Sequence, residues 1–314
     1  MSENPRISVV MSVYNGQDYL REAVESILCQ SYRDFEFIVV DDGSVDRTSE
    51  ILEEYKDRRL RIVHQENRGL TPSLNRGIQL ARGEYIARQD ADDVSMPERL
   101  ETLMGILEGD PEVAMVGSYM IFIDSSGREA GRWRMPLDNE KIHEAMKNYN
   151  PMPHGASMFR KRCSEEVGNY RERFRYAQDY DFLLRISSRN RVRNVDRFLY
   201  KWRKGEHAIS RKKLSEQLEY QLLARKLNDE RVEKGCDSYD QFSGSSPSAF
   251  LRTHFGVRRE ELNRFKAGHY LSYAKQALQS NDVSGHTKLV ARAFLYSPET
   301  VGWKKLLRAF SHLA

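Results

Sequence analysis

Strand and helix patterns alternate along this chain, which makes it an α/β protein. The expected architecture is a mixed, mainly parallel sheet covered by helices on both faces, with a mainly helical C-terminal extension. Three observations carry that expectation. Through the first 125 residues, β-branched apolar runs alternate with apolar residues at helical spacing. Three of the runs end in polar clusters, Ser12–Gly16, Asp41–Ser44 and Asp90–Asp93. From Arg211 onward the pattern is mostly helical. The expected division is an α/β domain over 1–210 and a helical region over 211–314.

Ile7–Val13, ISVVMSV, reads as the first strand, and Leu20, Val24, Ile27 and Leu28 follow at helical spacing. Phe35–Val40, FEFIVV, is the second strand, and Asp46 can cap a helix that carries Ile51, Leu52 and Tyr55. Leu60–Val63 reads as a third strand, and Thr71–Ala81 as a helix closed by Gly83. Glu84–Ala87 is strand-like, Pro97–Leu107 helical, and Val113–Ile123 a long strand before a turn at Asp124–Gly127. Further helices are expected at Asn139–Lys147 and Gln178–Ser188, and a strand at Val192–Tyr200. In the C-terminal region Leu214, Leu218, Gln221, Leu222 and Arg225 share one amphipathic helix, and Cys236–Ser248 is a Ser/Gly-rich loop. Tyr270–Leu278 and Leu289–Tyr296 read as two helices about an Asn281–Gly285 turn, and Trp303–Leu313 as a basic amphipathic helix.

At 314 residues the chain can bury a substantial core. No apolar run reaches the length of a membrane span, and MSENPRISVV lacks the pattern of a secretory leader. Cys29, Cys163 and Cys236 are odd in number and far apart, which suits a reducing cytosol and argues against a zinc site. Net charge is +4, unevenly spread: residues 211–314 hold 18 Lys and Arg against 11 Asp and Glu. That basic end can meet an anionic membrane surface or acceptor, or be a solvated helical face. The expected location is cytoplasmic, free or peripheral on the inner face of the membrane. An acidic front domain without a basic, aromatic-laced face argues against nucleic-acid binding.

The stretch Arg88–Pro97, RQDADDVSMP, crowds Asp90, Asp92 and Asp93 into four residues after a strand. Such crowding is costly unless a cation or a set of donors offsets it. Carboxylates at a strand's C-terminal edge can hold a divalent metal against nucleotide phosphates. An Asp-rich turn that caps the helix from Pro97, with Asp93 as the cap, is the alternative. Ser12 and Tyr14 follow the first strand, where a hydroxyl and an aromatic face can meet a nucleobase. Asp41 or Asp42 can accept a uracil or thymine imide proton, and either can instead close an Asx turn.

Seven segments in order, ISVVMSVYNG, QSYRDFEFIVVDDGSVDRT, ENRGLTPSLNRGI, ARGEYIARQDADD, PHGASMFR, AQDYDFLLRI and WRKGEHAIS, resemble the family 2 glycosyltransferases. The resemblance covers about residues 6–210 and implies a GT-A, Rossmann-like fold. It also implies an inverting enzyme that moves a sugar from a nucleotide diphosphate, a UDP-sugar foremost, to an acceptor hydroxyl. A saccharide or lipid-linked acceptor in surface polysaccharide synthesis follows from it. By the resemblance, Asp90 lies towards the ribose and Asp92 holds Mn2+ or Mg2+ on the diphosphate. Asp179 is the general base, His207 reaches the metal or diphosphate, and His154 lies on the acceptor side. Relatives carry Glu-Asp where this chain has Gln178–Asp179, so Asp179 loses a like-charged neighbour. They also carry Arg where this chain has Leu74, which leaves Arg68 as the nucleotide-facing cation and Asn75 as a loop holder. A nucleotidyltransferase would need a Gly-rich phosphate loop that Tyr14–Asn15–Gly16–Gln17 does not supply. A binding module without turnover would not need both Asp92 and Asp179.

Overall fold

The apolar runs at the front of the chain become β1 (Ile7–Val13) and β2 (Phe35–Asp41), buried almost throughout, as strands covered on both faces must be. The computed structural model describes residues 5–204, 213–279 and 283–302, with Lys305, Leu306 and Ala309. The chain divides into two compact units, Met1–Glu206 and His207–Ala314.

In the first unit the remaining strands are β3 (Leu60–His64), β4 (Tyr85–Asp90), β5 (Val94–Ser95), β6 (Val113–Ile123), β7 (Glu129–Trp133), β8 (Met158–Arg160) and β9 (Arg191–Arg203). They form one sheet in the order β3-β2-β1-β4-β8-β6-β9-β5, with β7 alongside β6. The pairings make β3, β2, β1, β4, β6 and β9 run one way and β8, β7 and β5 run against them. The sheet is therefore mixed and mainly parallel.

The helices are α1 (Leu20–Leu28), α2 (Thr48–Glu53), α3 (Leu70–Leu80), α4 (Arg99–Gly109), α5 (Asn139–Met146), α6 (Lys161–Glu166) and α7 (Gln178–Ser187). Alternation decides which face each covers. Ile7, Val9 and Met11 of β1 share a core with Leu20, Val24 and Ile27 of α1 and with Leu100, Leu103 and Leu107 of α4. Val10, on the opposite face, meets α3 so closely that a Cβ on Gly77 would collide with its side chain. Phe182 of α7 stacks edge-on against Phe159 of β8 at 5.0 Å. Each fully buried Leu, Ile or Phe contributes about 1.5–3 kcal/mol, so these two layers fix the sheet from both sides.

Three sequence expectations need correction. The fourth strand reaches Asp90 rather than Ala87, which puts the first acid of the cluster on the strand itself. Helix α4 begins at Arg99, and Asp93 does not cap it: its buried carboxylate instead accepts from the Arg203 amide of β9 at 2.8 Å. Gly83 does not close α3 in a left-handed turn; a Cβ there would stand 2.7 Å from the Ile7 carbonyl carbon, so the residue is small because β1 passes beside it.

The second unit is helical: α8 (Leu214–Lys234), α9 (Pro247–Phe255), α10 (Arg259–Gln279), α11 (Val283–Tyr296) and α12 (Pro298–Val301). Helix α8 ends at Gly235 with φ 78°, and α9 starts with Ser246 accepting from the Ala249 amide at 3.3 Å. Leu214 and Leu218 of α8 pack with Ala267, Tyr270 and Ala274 of α10 and Val290 and Ala293 of α11. Buried Lys266 is held by Glu219 and by the Ser215 hydroxyl at 3.0 Å. The basic segment Trp303–Leu313 lies largely outside the described residues. Among the described residues no helix is long and apolar enough to cross a membrane.

Candidate active site

Parallel register brings the polar strand ends together. Ser12 pairs with Asp90 on one side and Val40 on the other, and Val13 pairs with Asp41. The loops beyond are stitched to each other. The Asn15 amide donates to the Ser44 hydroxyl at 2.9 Å, the Asn15 side chain accepts from the Val45 amide at 2.9 Å, and the Gly16 amide donates to Thr48 at 2.8 Å. Asn15 takes φ 51°, a left-handed conformation that Asn tolerates. Tyr14, beside it, leaves its ring 52% exposed.

The two carboxylates of Asp41–Asp42 divide their work. Asp41 accepts from the Ser44 amide at 3.1 Å, an Asx-type turn, and lies 3.0 Å from His64 Nδ1. Asp42 accepts from Gln65 at 2.6 Å, from the Arg68 amide at 2.9 Å and from the Gly69 amide at 2.8 Å. It thereby fixes the loop that leads into α3 and presents Arg68, whose side chain is exposed and engages no partner among the described residues. Leu74 is core. Asn75 grips the Tyr170 backbone from both ends, donating at 2.8 Å and accepting at 3.0 Å.

Beneath the acidic edge sits a cation the sequence reading passed over. Arg88 is fully buried on β4. Its guanidinium pairs with Asp90 Oδ1 and donates to the Val10 carbonyl at 2.9 Å, the Gln89 carbonyl at 2.7 Å and His154 Nε2 at 3.2 Å. Tyr200 of β9 accepts from the Asp90 amide at 3.1 Å. Gly155 lies against this pair: a Cβ there would strike the Tyr200 hydroxyl and come within 2.7 Å of Asp90 Oδ2. Asp92 opens to solvent on one side, yet the surrounding protein and then the charge of Asp90 raise its pKa to about 6. Asp93 is pushed well above the usual range by burial and then by its two acidic neighbours. Buried Arg203 closes the cluster, donating to the Asp92 carbonyl at 2.9 Å and lying 4.4 Å over the Tyr19 ring.

His154 accepts at Nε2 from Arg88, and the Tyr170 hydroxyl lies 2.7 Å from the same atom. Burial, and then the Arg88 charge, hold its pKa well below 6.5. The ring is therefore neutral, with its proton on Nδ1.

Helix α7 chooses between the two acids of Gln178–Asp179–Tyr180–Asp181. Asp181 is buried between Arg185 at 2.8 Å and Arg171 at 3.3 Å, which removes it from chemistry. Asp179 is half-buried and accepts from Asn150 Nδ2 at 2.7 Å. The Asn150 carbonyl oxygen accepts from the Met152 amide at 3.0 Å, so the amide has one orientation. Burial raises the pKa of Asp179, its own helix amides and Asn150 oppose the rise, and the charge of Asp90 adds to it. Ala177 precedes α7 at φ 54°, a strained conformation for a residue with a Cβ, at the turn that aims Asp179. His207 lies outside the described residues. Asp92 and the outer oxygen of Asp90 are the carboxylates open to a cation; among the described residues no set of three ligands converges.

Replacing Arg88 by Met should strand Asp90 and two backbone carbonyls and cost about 3–5 kcal/mol. Urea unfolding with an unchanged slope measures this; a loss under about 1 kcal/mol would mean the pair is no more than a surface contact.

The sequence and the fold are similar to those of known proteins. The family model described as glycosyl transferase family 2 matches residues 8–168. EpsE of Bacillus subtilis, named as a glycosyltransferase, is 35% identical over 230 residues, covering 71% of this chain and 82% of its own. The amylovoran biosynthesis glycosyltransferase AmsE of Erwinia amylovora is 32% identical over 212 residues, covering 66% and 79%. Among solved structures, S. aureus TarS 1–349 in complex with UDP-GlcNAc superposes with a TM-score of 0.61 at 16% identity, over 92% of this chain and 91% of that one, which shows a shared GT-A fold. With the family pattern running through β1, β2 and the acidic end of β4, the chain is a glycosyltransferase and belongs to glycosyl transferase family 2.

Proposed function

We propose that the chain is an inverting, metal-dependent transferase that moves a sugar from a UDP-sugar to a hydroxyl of a saccharide or lipid-linked acceptor in surface polysaccharide synthesis. The observation that carries this is the pairing of an open carboxylate, Asp92, at the strand ends with one accessible base, Asp179, within electrostatic range of Asp90. The UDP-GlcNAc held by TarS supports a UDP-sugar donor, and the name of AmsE supports a polysaccharide product.

In this reading Ser12, Tyr14, Asp41 and Arg68 receive the nucleotide, Asp42 acts through the loop that it holds and that presents Arg68, and Asp90 faces the ribose. Burial and then the charge of Asp90 raise the pKa of Asp92, a cost that a bound cation relieves, so the residues fit a hard ion shared with phosphate oxygens. Asp92 and, by the family resemblance, His207 would hold Mn2+ or Mg2+, which when bound offsets charge on the departing diphosphate. Asp179 takes the proton of the acceptor hydroxyl as its oxygen bonds to the anomeric carbon and the bond from that carbon to the diphosphate breaks. With Asp90 and Asp92 given to ribose and metal, Asp179 is the one base this reading uses, which fits direct displacement with inversion. His154, neutral, offers Nδ1–H on the acceptor side.

Asp179→Asn should lower sugar transfer, or hydrolysis of the UDP-sugar by water, by about 10²–10⁴-fold while UDP still binds. Release of UDP at close to the wild-type rate would remove Asp179 from the role of base.

Asp179 must be ionised to act, so turnover should rise as pH climbs through a pKa set above the usual carboxylate range by burial. Asn150→Asp replaces a donor with a like charge. The acidic limb of the turnover profile should then move up by about 1 pH unit or more. An unmoved limb would show that Asn150 does not tune the base.

A further inference from the structure

We propose that a row of half-buried aromatic rings on β6, β7, β9 and the loop after α5 is the acceptor subsite, and that it holds a pyranose ring of a saccharide by its C–H face. The proposal rests on the transferase reading above and names what that site takes.

The row begins at the donor side. Tyr200, itself buried, anchors it: its hydroxyl accepts from the Asp90 amide, it pairs across the sheet with Met120, and Met120 pairs on its other side with half-buried Trp133. Two residues further, Phe122 pairs with Trp202. Alternation puts these side chains on one face, and they share a cluster with Met135 and with Ala156, the neighbour of Gly155. The Trp133 ring lies 6.4 Å from Phe122, nearly parallel to it, and 5.9 Å from Tyr149. Phe122 in turn meets Trp202 edge-on at 5.4 Å. Tyr149 is followed by Asn150, the residue that holds the base. The rings therefore run from the backbone of Asp90 to the neighbour of Asp179, where a hydroxyl must lie to be deprotonated.

A sheet face can carry aromatic rings only to close a core, and Phe198 on the same strand does so: Tyr119 packs on it at 5.2 Å, with Arg132 and Arg134 at 5.1 and 5.4 Å. Trp133, Tyr149 and Trp202 differ. Like Phe198 each is half-buried, but each carries a polar group, and neither indole N–H nor the Tyr149 hydroxyl makes a hydrogen bond among the described residues. Such groups usually find a protein partner when buried; at these half-buried rings they stay available to a ligand. Apolar faces beside unused polar edges match a sugar ring, which has C–H faces and a rim of hydroxyls, and match a lipid chain poorly because it has nothing for those donors.

The test is saturation-transfer difference NMR on the full chain with UDP and Mn2+, using the methyl β-pyranosides of glucose, galactose and N-acetylglucosamine as probes. Saturation should reach at least one probe and fall by about tenfold in Trp133→Ala and in Tyr149→Ala, with Trp133→Phe restoring part of it. UDP binding, measured by calorimetry on the same samples, should persist, which separates a lost subsite from a lost fold. A wild-type chain that binds UDP but none of the probes overturns the proposal. So does a double variant, Trp133→Ala with Tyr149→Ala, that binds a probe as well as wild type. A wild-type chain that binds no UDP would instead bring down the donor reading and this proposal with it.

Discussion

A single buried guanidinium organises the front of this enzyme. Arg88 has no exposed surface, and its hydrogen bonds run to three separate pieces of chain: the Val10 carbonyl of β1, Asp90 at the end of its own strand, and His154 of the segment before β8. A buried cation without partners is prohibitively costly, so each piece is held where it satisfies one N–H. The same charge prepares the site electrostatically. It pairs with Asp90 and, after burial, adds to what holds the pKa of His154 down.

Around that centre the acids are sorted by what surrounds them. Asp181 and Asp93 are committed to structure, one by two arginines and the other by burial against β9. Asp42 is spent on three donors that shape the loop into α3. Asp92 and Asp179 are less enclosed and have raised pKa values, which suits the cation and the proton that the proposed function gives them. Placement decides the role: five aspartates of similar chemistry divide between scaffold and site by which donors reach them.

Much of this was legible in the sequence, and the reason is physical. Apolar runs that end in polar clusters mark strands that carry ligands at their carboxyl ends, so Ser12, Asp41 and Asp90 fell on adjacent strand ends as expected. The long strand at Val113–Ile123 matched to the residue, because an apolar run that long and bounded by turns has one reading. What escaped was long-range. Arg88 looked like the start of a charged loop, although an arginine among Ile86, Ala87 and Gln89 on a central strand must be buried and paired. Gly155, Tyr200 and Asn150 reach the site only through the pairing of β8 and β9 and the packing of α7, which no local pattern reports. Asp93 was misassigned for the same reason: its partner, the Arg203 amide, is 110 residues away.

In the proposed function the acidic end of β4 receives a nucleoside diphosphate together with a divalent cation. Calorimetric titration of UDP, with and without Mn2+, into the wild-type chain and the Asp92→Ala variant tests it most directly. The account expects Mn2+ to tighten UDP binding by about tenfold or more in the wild type and to lose that effect in the variant. Equal binding with and without the metal in both proteins, or no binding of UDP at all, would contradict it.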